Sequence, residues 1–165
     1  VAMVGLFWIS EDSVYVGSPP TGDGRCVRLT ADGLDAVGPE GSRAWTWTDL
    51  RSAAVEAAPV RGTLGSRLGM TLEVLLTAAS GLGNEPAEMI LRLETVGGDA
   101  EGVPLYSATA GYDPEEIALS QSLLARFVAG TADPRTVVAW GRQNSSHGTP
   151  KPHLREALLR EWAQT

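Results

Sequence analysis

The sequence predicts an α+β protein that is mainly β. It reads as an antiparallel sheet or partly open barrel of about seven strands with an added N-terminal hairpin, capped by a C-terminal helix and followed by a second, short tail helix. Three observations carry this. Short runs of β-branched and aromatic residues, cut by Gly-, Pro- and Asp-rich turns, succeed one another as far as residue 110. In Ala44-Trp45-Thr46-Trp47-Thr48 the two indoles stand two residues apart, so on a strand they share a face and anchor a sheet. Beyond Asp113-Pro114 the apolar period changes to that of a helix, so strands come first and helices collect at the C-terminal end, which excludes an alternating βαβ order.

In chain order, the apolar run at residues 4–10 and Ser13-Val14-Tyr15-Val16-Gly17 pair as the N-terminal hairpin. Residues 18–24 form a loop, because they hold turn formers and no periodic apolar residue. Cys26-Val27-Arg28-Leu29-Thr30 is a strand, Ala31-Asp32-Gly33 a tight turn with Gly33 supplying a positive φ, and residues 34–37 the return strand. Gly38-Pro39-Glu40-Gly41 turns the chain into the tryptophan strand, where Asp49 breaks the alternation and bends the chain into the next antiparallel strand, residues 50–56.

Residues 60–69, with three glycines and two arginines, form an irregular excursion suited to contacting a ligand. Strands follow at residues 70–78, 89–96 and 103–110, joined by a long connection at 80–86 and a glycine-rich turn at 97–102.

Asp113 caps the first helix, Pro114 occupies its first position, Glu116 completes a capping box and Gly130 stops it. Residues 136–140 read as a strand or an irregular segment, and 141–152 as a mobile linker. The tail helix opens at Pro152 and carries Leu154, Leu158 and Trp162 on one side as a docking stripe. That stripe docks on its own sheet or, by exchange, on a neighbouring subunit. Residues 1–130 are thus expected to be a β-rich domain with its capping helix, and residues 131–165 a linker and helical tail packed on the same domain.

Composition narrows the function. A net charge of −7 with a single lysine, Lys151, argues against nucleic acid and anionic membrane lipid as partners, since both require clustered cations. One cysteine, Cys26, allows no internal disulfide, and no positively charged segment precedes an apolar run at the N-terminus, so a cytoplasmic location is expected. Abundant Ala, Gly and Arg against scarce Lys is the residue usage of a GC-rich bacterial genome. His147 and His153 lack companions at metal spacing, residues 62–69 lack the Lys-Ser/Thr ending of a phosphate loop, and Cys26 opens an apolar strand. No catalytic residue, metal site or cofactor is expected.

The V-R-L-T-A-D-G-L hairpin followed by W-T-W-T-D-L, within a run of strands closed by one helix between Cys26 and Ala129, resembles the pleckstrin-homology-like superfold, particularly its bacterial and GRAM-type members. The resemblance implies a binding module. It does not carry over lipid binding, because the turn at Ala31-Asp32-Gly33 is acidic where phosphoinositide-binding members are basic. The closing helix has Phe127 where members of the fold often carry a tryptophan, and the N-terminal hairpin exceeds the usual strand count.

Two functions stay open at this level. The first is a non-catalytic binding or protein-interaction module meeting a protein or peptide, with Leu154, Leu158 and Trp162 as partner-binding residues. The second is a small-ligand binder or enzyme whose sheet encloses a pocket lined by Trp8, Trp45 and Trp47, with Arg61 and Arg67 at its mouth. A homodimer joined through sheet edges is compatible with either.

Overall fold

The computed structural model describes residues 1–61 and 87–164. It is mainly β, with two antiparallel sheets and no closed barrel. The first is a six-stranded meander in the order β1-β2-β3-β4-β5-β6: β1 Ala2–Val4, β2 Phe7–Ile9, β3 Val14–Val16, β4 Cys26–Leu29, β5 Gly33–Gly38 and β6 Gly41–Thr46. The second is three-stranded: β7 Leu50–Glu56, β8 Glu88–Thr95 and β9 Ala100–Tyr106. Helices α1 Pro114–Ala129, α2 Pro134–Asn144 and α3 Pro152–Ala163 follow. The expected strands and loops at residues 62–86 lie outside the described residues.

The alternation read from the sequence sets the faces. Phe7 and Ile9, Val14 and Val16, Val27 and Leu29, and Leu34 and Trp45 are buried on the inner face of the larger sheet, while Trp8, Tyr15, Arg28 and Asp35 stand in register on the outer face. Met89, Leu91 and Leu93 are buried between Ile90, Arg92 and Glu94, as expected of a half-covered strand. The inner faces and α1 enclose one apolar cluster that includes Trp45, Trp47, Phe127 and Leu124.

The tryptophan stretch is the corner between the sheets. Trp45 stands one residue before the end of the edge strand β6, and Trp47 opens a 3-10 turn, Trp47–Asp49, whose cap Thr46 accepts a hydrogen bond from the Asp49 amide. The chain then enters β7 and leaves the first sheet. Trp47 packs on Phe127 with ring centroids 5.4 Å apart, and its indole N–H donates to the Thr30 carbonyl at 3.2 Å.

Several expectations are corrected. The first apolar run is two strands, because Gly5, at φ 58°, turns the chain between Val4 and Phe7. Gly33 has no positive φ. It opens β5, and a Cβ there would lie 1.8 Å from the Trp45 carbonyl oxygen, so the residue is glycine because the β6 backbone passes too close for a side chain. Gly33→Ala is therefore expected to force β5 and β6 apart and to destabilise by about 1–3 kcal/mol, measurable by urea denaturation. β9 begins at Ala100 and ends at Tyr106, earlier than residues 103–110.

Residues 136–140, expected as a strand or an irregular segment, and residues 141–144, expected as the start of a linker, lie in helix α2. Asp133 caps it, Pro134 opens it, and Gly141 lets it lie against β2, since a Cβ there would meet Ile9 Cγ2 at 2.7 Å. The β-branched Thr136-Val137-Val138 yields to this packing, with Val137 fully buried.

The tail helix docks on α1 and β1 of its own chain, but one position round from the expected stripe. Arg155, Leu159 and Trp162 are its buried residues, and Leu154 is 48% exposed. Glu116, expected to complete a capping box, instead points into the protein, where both its oxygens accept from the Arg155 guanidinium at 2.6 and 2.9 Å. It also accepts the Gly5 amide at 3.2 Å, while Ser120 takes the Leu6 amide at 3.0 Å. The β1–β2 turn, α1 and α3 thus meet at one buried, hydrogen-bonded ion pair.

Candidate functional site

Two sheets that do not close into a barrel have four outer strands, and the main chain of each must be satisfied or exposed. Register shows which groups are at stake. In an antiparallel ladder every second residue turns its N–H and C=O away from its neighbour.

On three of the four edges outward positions are taken by groups of this chain. On β1 the outward amide is that of Met3, and it donates to the Thr149 hydroxyl at 3.0 Å. On β7 the outward residues include the buried Ala53 and Val55: the Val55 amide donates to Gln121 Oε1 at 2.9 Å and its carbonyl accepts from the same carboxamide, so Gln121 on α1 stands in there for a neighbouring strand. On β9 the outward positions are Ala100, Gly102, Pro104, which has no N–H to offer, and Tyr106, whose carbonyl accepts the Ser18 amide at 2.8 Å; Ala100 and Gly102 are exposed at the far end of the strand.

The fourth edge is β6. Gly38 and Gly41 close a two-residue turn at the head of the β5–β6 ladder, and beyond its foot the Trp47 amide donates to Asp32 O at 3.0 Å. With these fixed, Arg43 and Trp45 bond to β5, and Ser42, Ala44 and Thr46 face outward. Residues 41–44 are all exposed. No hydrogen bond from a described residue covers the outward main-chain groups of Ser42 and Ala44.

Beside this edge lies a cleft of about 330 Å³ between the β5–β6 hairpin and β9, lined by Ala36, Val37, Trp45, Val103 and Pro104 with Arg25, Glu40, Arg43 and Glu101 around them. Trp45, 8% exposed, forms part of its floor. The Arg43 guanidinium lies over the indole, 4.9 Å from the ring centroid, and pairs with Glu101 across the cleft. Arg25 sits over Tyr106 at 5.4 Å from the ring centroid and reaches Glu88 at 3.9 Å. The surroundings are thus apolar at the base and carry charges of both signs at the rim.

The residues proposed from sequence fall in different places. Trp45 is at the cleft, Trp47 is in the core against Phe127, and Trp8 is on the outer face of the meander between Met3 and Tyr15. Arg61 is exposed, its amide donating to Tyr112 O at 2.7 Å beside the short bridge between Val60 and Tyr112, and it does not line the cleft. Arg67 lies outside the described residues. Of the partner-binding candidates, Trp162 is consumed by packing on its own chain, Leu158 is half-buried and Leu154 is exposed. Sequence reasoning missed Arg43, Ala44 and Glu101. The signal was present in Gly41-Ser42-Arg43-Ala44, a strand start with no lysine, proline or large apolar residue to mark either face.

Among the described residues no group of three His, Cys, Asp or Glu side chains converges as a metal site would require. Burial pushes the Cys26 thiol up from its ordinary value, which disfavours the thiolate. Burial likewise pushes the Tyr112 hydroxyl up to about 12, and its oxygen accepts the Ala108 amide at 2.9 Å. No helix among the described residues is long and apolar enough to cross a membrane. No family model, curated protein or solved structure matches the chain.

Proposed function

We propose that the protein is a non-catalytic interaction module, of the pleckstrin-homology-like type its hairpin and W-T-W-T-D-L stretch resemble, and that it takes an extended protein segment as a strand on β6. The observation that carries this reading is β6 itself: residues 41–44 are exposed and no described residue covers the outward main-chain groups of Ser42 and Ala44, whereas side chains, a proline or a loop take outward positions on β1, β7 and β9. Strand addition draws its affinity from main-chain hydrogen bonds and its selectivity from alternate side chains. Here the inward side chains of an added strand would lie toward Trp45, Arg43 and Glu101, which favours a segment that alternates an apolar residue with polar ones.

Ala44→Pro tests this reading. The substitution removes one outward N–H and leaves the β5 ladder intact, a position where proline is tolerated. Peptides selected from a random library on the wild-type protein should lose binding to this variant while its melting temperature stays within a few degrees. Selected peptides that bind the variant equally well would place recognition elsewhere.

A further inference from the structure

We infer that the strand received by β6 is β6 of a second copy of this chain, paired antiparallel about a two-fold axis through Ala44. The inference rests on the reading of β6 as the interaction edge and adds the identity of the partner.

The register of β6 against itself selects the partner. A two-fold antiparallel pair of β6 strands has three central registers, about residue 43, 44 or 45. Centring on Arg43 sets two guanidinium groups directly opposite each other, a like-charge pair that opposes association. Centring on Trp45 pushes the strands past one another, so that Ser42 meets residue 48, inside the 3-10 turn and beyond the end of the strand. Centring on Ala44 satisfies every position from Ser42 to Thr46. On the outer face Ala44 meets its own copy, with no bulk to separate the strands, and Ser42 meets Thr46, a pair able to hydrogen-bond. On the inner face Arg43 meets the other copy's Trp45, which repeats between chains the cation–π contact already present within each at 4.9 Å.

The hydrogen-bond phase agrees. Ser42, Ala44 and Thr46 are the residues whose main-chain groups face outward, and in this register they are the ones that exchange N–H···O=C bonds across the axis. The two meanders would then continue as one sheet, and the outward groups of Ser42 and Ala44, which no described residue covers, would be covered by the second copy.

The register makes a positional test possible. Residues bonded directly opposite each other in an antiparallel pair have Cα atoms about 5.5 Å apart, within disulfide range, whereas two copies of Ser42 would lie on the order of 14 Å apart. In a Cys26→Ala background, Ala44→Cys is expected to form a covalent dimer under mild oxidation, and Ser42→Cys to stay uncrosslinked. Sedimentation of the unmodified protein is expected to show a concentration-dependent dimer that Ala44→Pro abolishes. Equal crosslinking at both positions, a dimer unaffected by Ala44→Pro, or a monomer at every concentration would each overturn the inference. If the protein is monomeric but β6-dependent peptides are still selected, the interaction-edge reading stands without the second copy. If selected peptides also ignore Ala44→Pro, both fail.

Discussion

Glu116→Ala is expected to destabilise the protein by about 3–5 kcal/mol, because it leaves the Arg155 guanidinium buried without its counter-ion. The side chains of Glu116 and Arg155 are only 4% and 11% exposed, so water cannot replace the lost partner. Arg155 would keep the Pro150 O acceptor at 2.8 Å, and the Gly5 amide would lose the Glu116 carboxylate in the tight β1–β2 turn. The charge, more than the contact, is the source of the cost. Replacing both members together, as Glu116→Leu with Arg155→Met, should therefore recover most of the stability, since a buried pair exchanged for apolar side chains of similar volume is often neutral or better. Chemical denaturation of Glu116→Leu, of Arg155→Met and of the double variant measures the coupling. A single-variant loss under about 1 kcal/mol would mean that the pair is solvated and does not hold the turn, α1 and α3 together.

Trp162→Ala is the second large effect, about 3–5 kcal/mol for emptying the site of a large buried aromatic. Trp162 is 2% exposed and meets Trp140 of α2 edge-on, with centroids 5.7 Å apart, so its removal loosens two helices at once. Leu154→Ala, on the same helix but 48% exposed, should change stability by less than about 0.5 kcal/mol. Thermal unfolding of both variants distinguishes the observed docking face from the one expected from spacing. A larger loss from Leu154→Ala than from Trp162→Ala would restore the latter.

The tail helix shows why spacing alone misplaced that face. Leu154, Leu158 and Trp162 advance at i, i+4, i+8, whereas the buried residues Arg155, Leu159 and Trp162 advance at i, i+4, i+7, and the second set contains an arginine that hydropathy assigns to solvent. Its partner, Glu116, sits three positions after a good N-cap, where a capping box is the local expectation. Only the tertiary fold brings the two charges together across 39 residues. Helix α2 was hidden for a related reason. Thr136-Val137-Val138 favours a strand and Gly141 favours a break, and both preferences give way because Gly141 is where the helix meets β2.

What was legible rested on local chemistry. The alternation of β8, the Asp113-Pro114 start and Gly130 stop of α1, and the Trp45-to-Asp49 corner each follow from neighbouring residues, and the mainly-β fold class follows from their order. The candidate site was not legible in the same way. An edge is a relation between strands, and whether it is covered depends on residues as remote as Thr149 for β1 and Gln121 for β7. Sequence could name Trp45 as a large side chain near something. It could not tell that the neighbouring Ser42 and Ala44 face outward with no cover from any described residue.

Residue-resolved hydrogen exchange on dilute protein tests the uncovered edge most directly. The outward amides of Met3 and Val55 should be protected by Thr149 and Gln121, and on β6 the amides should alternate, Arg43 and Trp45 slow against Ser42 and Ala44 fast. Protection of Ser42 and Ala44 equal to that of Arg43 and Trp45 at the lowest concentration would show β6 already covered within the monomer, and would contradict its role as the interaction edge.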